Sequence, residues 1–128
     1  MSSAPRPRPK YYDLNLAHLP PPGLVSILHR VTGALLFFPV IPVLLYLLQA
    51  SLASEEGYAY WRHFFSHPVL KLVLLAGVWL YAHHFFAGIR FLLLDLHLGI
   101  TKEAARASAL GVLVLGVAAT LLIGWRLW

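Results

Sequence analysis

Residues 71–90 read KLVLLAGVWLYAHHFFAGIR. Between Lys71 and Arg90, the stretch from Leu72 to Ile89 holds no Asp, Glu, Lys or Arg. As an α-helix its eighteen residues rise about 27 Å, close to the thickness of a bilayer's hydrocarbon core. The run does not alternate with period two, and only helices and closed barrels satisfy their backbone groups in lipid. It therefore predicts a transmembrane helix. It also poses a question, because ionisable side chains inside such a helix are costly and this one carries His83 and His84 side by side.

Two further runs flank it. Val31 to Ser54 is charge-free with its densest part at Val31 to Leu48, and Ala107 to Trp125 lies between Arg106 and Arg126. The expected fold class is all-α integral membrane with three transmembrane helices, at roughly 24–50, 68–95 and 104–127. Residues 1–23 read as a basic, Pro-rich arm, with Arg6, Arg8 and Lys10 among prolines. Pro20, Pro21, Pro22 and Gly23 are expected to block helix upstream of Leu24. Pro39 and Pro42 should kink the first span, and Pro68 suits the first turn of the second.

Composition agrees. Of 128 residues, 59% are apolar and only 12% charged, against about 25% charged in a soluble domain. Mean hydropathy is +0.72. With no cysteine, the chain can supply no disulfide, thiolate zinc site, iron–sulfur ligation or cysteine nucleophile. The net charge of +5 does not point to nucleic acid, because Lys and Arg sit at segment ends as topology signals. A cleaved signal peptide is not expected, since the first apolar run starts late and is too long. Seven Lys and Arg flank the first span and fill the second connection, against three elsewhere. That bias predicts a cytoplasmic N-terminus and an outside C-terminus, with the aromatic residues Tyr58, Tyr60, Trp61, Trp125 and Trp128 in an outer belt.

Two polar clusters stand out: Ser26, His29 and Arg30 opening helix one, and His83, His84, Arg90 and Asp95 closing helix two. Helical spacing puts Ser26, His29, Arg30 and Gly33 on one stripe, and His84, Gly88, Phe91 and Asp95 on another. His83 is turned about 100° from His84 and shares its face with Arg90. Both clusters fall at the cytoplasmic end, so one pocket could hold both. Such a pocket suits haem, with one inward imidazole as half of a bis-histidine site and cationic groups near the propionates. It equally suits a quinone, whose carbonyl a serine can orient and whose developing charge an arginine can offset. From the residues alone bland roles stay open: His84 as a helix–helix hydrogen bonder, Ser26 bonded to backbone, and Arg90 as an interfacial anchor. Asp95 could pair with Arg90 or Lys102, and the glycines could be packing contacts.

Residues 26–33, SILHRVTG, resemble the S-I-x-H-R-x-[ST]-G signature of the cytochrome b556 subunits of succinate dehydrogenase. His84-Phe85-Phe86-Ala87-Gly88-Ile89-Arg90 with downstream Asp95 is similar to that family's second signature, H-x-x-x-G-x-R. Arg6-Pro7 and Asp13-Leu14 fit its arm more loosely. The resemblance implies one half of a heterodimeric anchor bundle of respiratory complex II in the bacterial inner (cytoplasmic) membrane. Its partners would be a second small membrane anchor subunit, an iron–sulfur subunit and a flavoprotein subunit. It implies haem b with His84 as an axial iron ligand, His29 and Arg30 near the propionates, and a site for ubiquinone or menaquinone at Ser26, Arg30 and Asp95. The chain would serve succinate:quinone oxidoreductase without dehydrogenase activity of its own. Two departures are Phe91, where many relatives have histidine, and the extra His83. Rival readings are a cofactor-free structural anchor or assembly protein, and a transporter subunit, which the lack of any repeat disfavours.

Overall fold

The computed structural model describes residues 18–128, and all their regular structure is helical. Arg6, Arg8, Lys10, Asp13 and Leu14 of the expected arm lie outside the described residues. The elements are α1 (Pro21–Leu35), a π-helical turn (Leu36–Val40), α2 (Ile41–Leu52), α3 (Glu55–Phe64), α4 (Pro68–Asp95) and α5 (Lys102–Leu127). Three stretches are long and apolar enough to cross a membrane: Pro21–Leu52, Pro68–Asp95 and Lys102–Leu127.

The first helix starts inside the proline run rather than after it. Proline lacks only an N–H that a first helical turn leaves unpaired anyway. Pro20 is the N-cap, and its carbonyl accepts from Gly23 N at 2.9 Å and Leu24 N at 3.2 Å. Farther along, Pro39 sits within the π-helical turn. The missing N–H is absorbed there by one wider turn, a common way for a proline to be accommodated in a membrane helix. Beyond that turn α2 buries no residue. Phe37 and Phe38 are 68% and 72% exposed, which suits acyl chains or another protein and not water.

The first connection contains a helix of its own. Ser54 caps α3 by accepting from Gly57 N at 3.0 Å, and Glu55 and Glu56 occupy the first turn, where the helix dipole favours negative charge. A Cβ on Gly57 would lie 2.6 Å from the Ala50 carbonyl oxygen, so α3 turns back tightly on α2 only because position 57 has no side chain.

Antiparallel packing of α4 on α5 forms the backbone of the bundle. Val112, Gly116, Thr120 and Gly124 are buried at four-residue spacing along α5. A Cβ on Gly116 would meet the His83 Cα at 3.5 Å, and one on Gly124 would meet Leu75 Cδ1 at 3.0 Å. Small residues thus let the two backbones approach, the usual basis of helix association in lipid. The N-terminal half of the first span, α1, lies against both. Val25, Ala87, Ala109 and Val112 form the core, with Phe86, Phe91 and Leu113 packed on it.

The α4–α5 turn ends in a Schellman arrangement: Leu98 N donates to the Leu93 carbonyl at 3.0 Å and His97 N to the Leu94 carbonyl at 2.9 Å. His97 holds the left-handed position, φ 61°, that glycine normally takes. His97→Gly should therefore stabilise the fold by about 0.5–1 kcal/mol, read as a higher thermal midpoint in detergent. An unchanged or lower midpoint would contradict that.

Candidate functional site

His84 lies eleven residues before the end of α4, about 16 Å along the axis. His29 lies eight residues into α1, about 12 Å from its start. The helices run in opposite directions, so both fall near the same end of the bundle, and their rings meet. They stack at 4.2 Å between centroids with an interplanar angle of 7°. Phe91 also packs on His29, its ring tilted by 48° with the centroids 5.0 Å apart.

Hydrogen bonding fixes the ring of His84. Nδ1 lies 3.1 Å from the His29 carbonyl oxygen, an acceptor, so Nδ1 carries the proton and donates. Nε2 makes no hydrogen bond among the described residues and is left with its lone pair. Thr32 stands beside the same nitrogen, its Oγ1 3.4 Å from Nδ1. Gly33 provides the clearance: a Cβ there would lie 2.8 Å from His84 Cε1 and 3.3 Å from Nδ1. Gly33, on the stripe of Ser26, His29 and Arg30, is a packing contact that makes room for this imidazole. Gly88 has only ordinary clearance, its Cβ falling 3.7 Å from His29 Nε2.

The adjacent histidine is in a different environment. His83 is fully buried, stacked on Trp79 at 5.5 Å and backed by Gly116 of α5. Neither of its ring nitrogens makes a hydrogen bond of good geometry among the described residues, although the ring lies against the Val25 backbone of α1. The 100° per residue turn of the helix thus separates the two imidazoles: His84 is half-buried and stacked on His29, and His83 is sealed in the core between α1 and α5.

Arg90 shares the His83 face and is turned inward, not toward the membrane surface as an anchor would be. Only 6% exposed, it donates from Nε to Ser108 Oγ at 3.0 Å and from Nη2 to the Ala105 carbonyl at 3.1 Å. Its guanidinium therefore braces α4 to α5. Ser26 is half-buried one turn before Arg30 on α1, Arg30 is exposed, and Asp95 is exposed at the last residue of α4. Helical register keeps Ser26, His29 and Arg30 on neighbouring positions, and of these His29 is the residue in ring contact with His84.

Sequence reasoning passed over Thr32 and the α5 stripe. Thr32 is 1% exposed, and its signal was its place next to Gly33 and three residues after His29. The stripe was signalled by Gly116 and Gly124 at an eight-residue separation around Thr120.

A family model described as succinate dehydrogenase/fumarate reductase transmembrane subunit matches residues 4–123. The chain belongs to this family. Among curated relatives, the succinate dehydrogenase cytochrome b556 subunit of Coxiella burnetii is 34% identical over 122 residues, covering 94% of this chain and 97% of the relative. The subunit of the same name from Rickettsia felis is 28% identical, covering 91% of this chain and 90% of the relative. That of Rickettsia prowazekii is 30% identical, covering 77% and 76%. Membership in the transmembrane subunit family accounts for the three spans and the apolar exterior, and it covers both polar clusters at once.

Proposed function

We propose that this chain is the membrane anchor subunit of a succinate dehydrogenase, respiratory complex II, that holds haem b through His84 and forms part of the quinone-reduction site. The observation that carries the reading is the state of His84. Its Nδ1–H is held by a backbone carbonyl while Nε2 makes no hydrogen bond among the described residues, the arrangement that fixes tautomer and ring direction in histidine metal ligands. The fit extends around it. No three His, Cys, Asp or Glu side chains gather to bind a bare ion among the described residues, but a porphyrin iron needs only axial donors from protein. When bound, haem b supplies a one-electron store beside the route to quinone.

The chain's own residues then have separate tasks. His84 would hold the haem iron through Nε2, with a further ligand supplied by the partner anchor subunit. His29, whose ring nitrogens make no hydrogen bond among the described residues, is available with Arg30 to pair with propionate oxygens. Ser26 orients a carbonyl of ubiquinone or menaquinone by hydrogen bonding. Arg30 offsets the charge that develops on the quinone oxygen, and Asp95 lies near the proton supply. The iron–sulfur and flavoprotein subunits dock on the cytoplasmic face, at the α4–α5 turn, and the C-terminus is outside. Residues 24–128 form the three-helix transmembrane domain, in the bacterial inner membrane.

The test is co-purification of the assembled complex with a reduced-minus-oxidised spectrum. A b-type haem band together with flavoprotein and iron–sulfur partners supports the reading, and a colourless anchor would make this a purely structural subunit. Within such a complex, Ser26→Ala and Arg30→Leu should lower quinone reduction about 10- to 100-fold, the range for a misplaced substrate or a lost charge-stabilising donor. Succinate-dependent reduction of an artificial acceptor should be nearly unchanged. Equal losses in both assays would remove these residues from the quinone site.

A further inference from the structure

We propose that Thr32 is a positioning residue for His84, its hydroxyl sharing the Nδ1–H with the His29 carbonyl and so setting the rotation and basicity of the imidazole. The proposal rests on the reading of His84 as an iron ligand and assigns the control of that ligand to this chain's own α1.

The geometry is a three-centre arrangement. The Thr32 hydroxyl reaches two backbone carbonyls of its own helix, Leu28 at 2.8 Å and His29 at 3.1 Å. The shorter, to Leu28, takes its single proton. Its lone pairs are then left for His84 Nδ1 at 3.4 Å. One N–H thus faces two acceptors, the His29 carbonyl at 3.1 Å and the Thr32 hydroxyl. Thr32 is almost fully buried, so water does not compete for this interaction, and a buried polar contact weighs more for that reason. Threonine is also stiff at χ1, so its oxygen keeps its direction. On the other side Gly33 leaves the ring no slack, since its missing Cβ is the space the ring occupies.

Acceptors on Nδ1–H make an imidazole more electron-rich, and a more basic axial ligand favours ferric over ferrous iron. Removing the hydroxyl should therefore raise the haem midpoint potential without removing the haem. The test compares Thr32→Val, Thr32→Ala and Thr32→Ser in the assembled, purified complex. Haem content, the midpoint potential from a redox titration and the low-spin g values of the ferric haem are read in each.

Val and Ala should retain haem, shift both spectroscopic readouts, and lower the ferric-to-ferrous ratio about threefold at the wild-type midpoint, the scale of half a net hydrogen bond. Ser should stay near wild type. A wild-type complex without haem would overturn the functional reading and this inference together. A wild-type complex with haem whose midpoint and g values are the same in Val and Ala would overturn this inference alone. So would a Ser variant that shifts as far as Val, because that would assign the effect to packing. Should Val fail to assemble, the smaller Ala variant decides by the same criteria.

Discussion

His84→Ala should abolish the b-type absorbance of the assembled complex, while His83→Phe should leave it in place. The loss follows from the coordination proposed for Nε2. Removing a first ligand costs more than removing an outer partner, which already costs about 10- to 100-fold in metal affinity. The contrast follows from the 100° rotation between neighbours on a helix. His83 points into the core, against Trp79 and Gly116, where no cofactor has room. Among the described residues neither nitrogen makes a hydrogen bond of good geometry, and a buried polar group in that state costs about 1–3 kcal/mol. An apolar ring of similar size should thus be neutral or stabilising there. Quantified haem per complex and thermal midpoints for both variants check the pair. Equal haem loss from both would defeat the assignment of separate faces.

Gly33→Ala should have the second-largest effect. Its new methyl would lie 2.8 Å from His84 Cε1, closer than real Cβ contacts allow. A side chain can usually swing away, but this ring is bonded through Nδ1 to the His29 carbonyl and stacked on the His29 ring. Either the ring leaves that geometry or α1 moves off α4, and overpacking of this kind costs about 1–3 kcal/mol. The expected result is a complex that assembles with lowered haem occupancy and altered ferric low-spin g values. Gly88→Ala, where the nearest side-chain atom is 3.7 Å away, should behave as wild type. Full haem occupancy and unaltered g values in Gly33→Ala would contradict the packing argument.

What the sequence disclosed, and what it did not, divides along a physical line. The spans were legible because a charge-free run of bilayer length is a local property. The seam residues His29, Gly33, His84, Gly88 and Phe91 were legible because the period of 3.6 residues sorts faces without any knowledge of the partner helix. The separation of His83 from His84 was legible for the same reason. The rest depends on contacts between distant segments. Arg90 looked like an interfacial anchor because nothing local shows that Ser108 and the Ala105 carbonyl stand opposite it. Thr32 looked like an ordinary helical threonine until the α1–α4 register brought Nδ1 of His84 to its hydroxyl. The π-helical turn and the helix start at Pro21 reflect how the chain accommodates missing N–H groups, and a proline in sequence permits more than one solution.

Direct imaging of the assembled complex, at a resolution that shows side chains, tests the ligand most directly. The expected map has porphyrin density against the α1–α4 seam, with its iron bonded to Nε2 of His84. Its Nδ1 should still point at the His29 carbonyl. A map in which Nε2 faces acyl chains or a neighbouring side chain, with no porphyrin against it, would contradict the account.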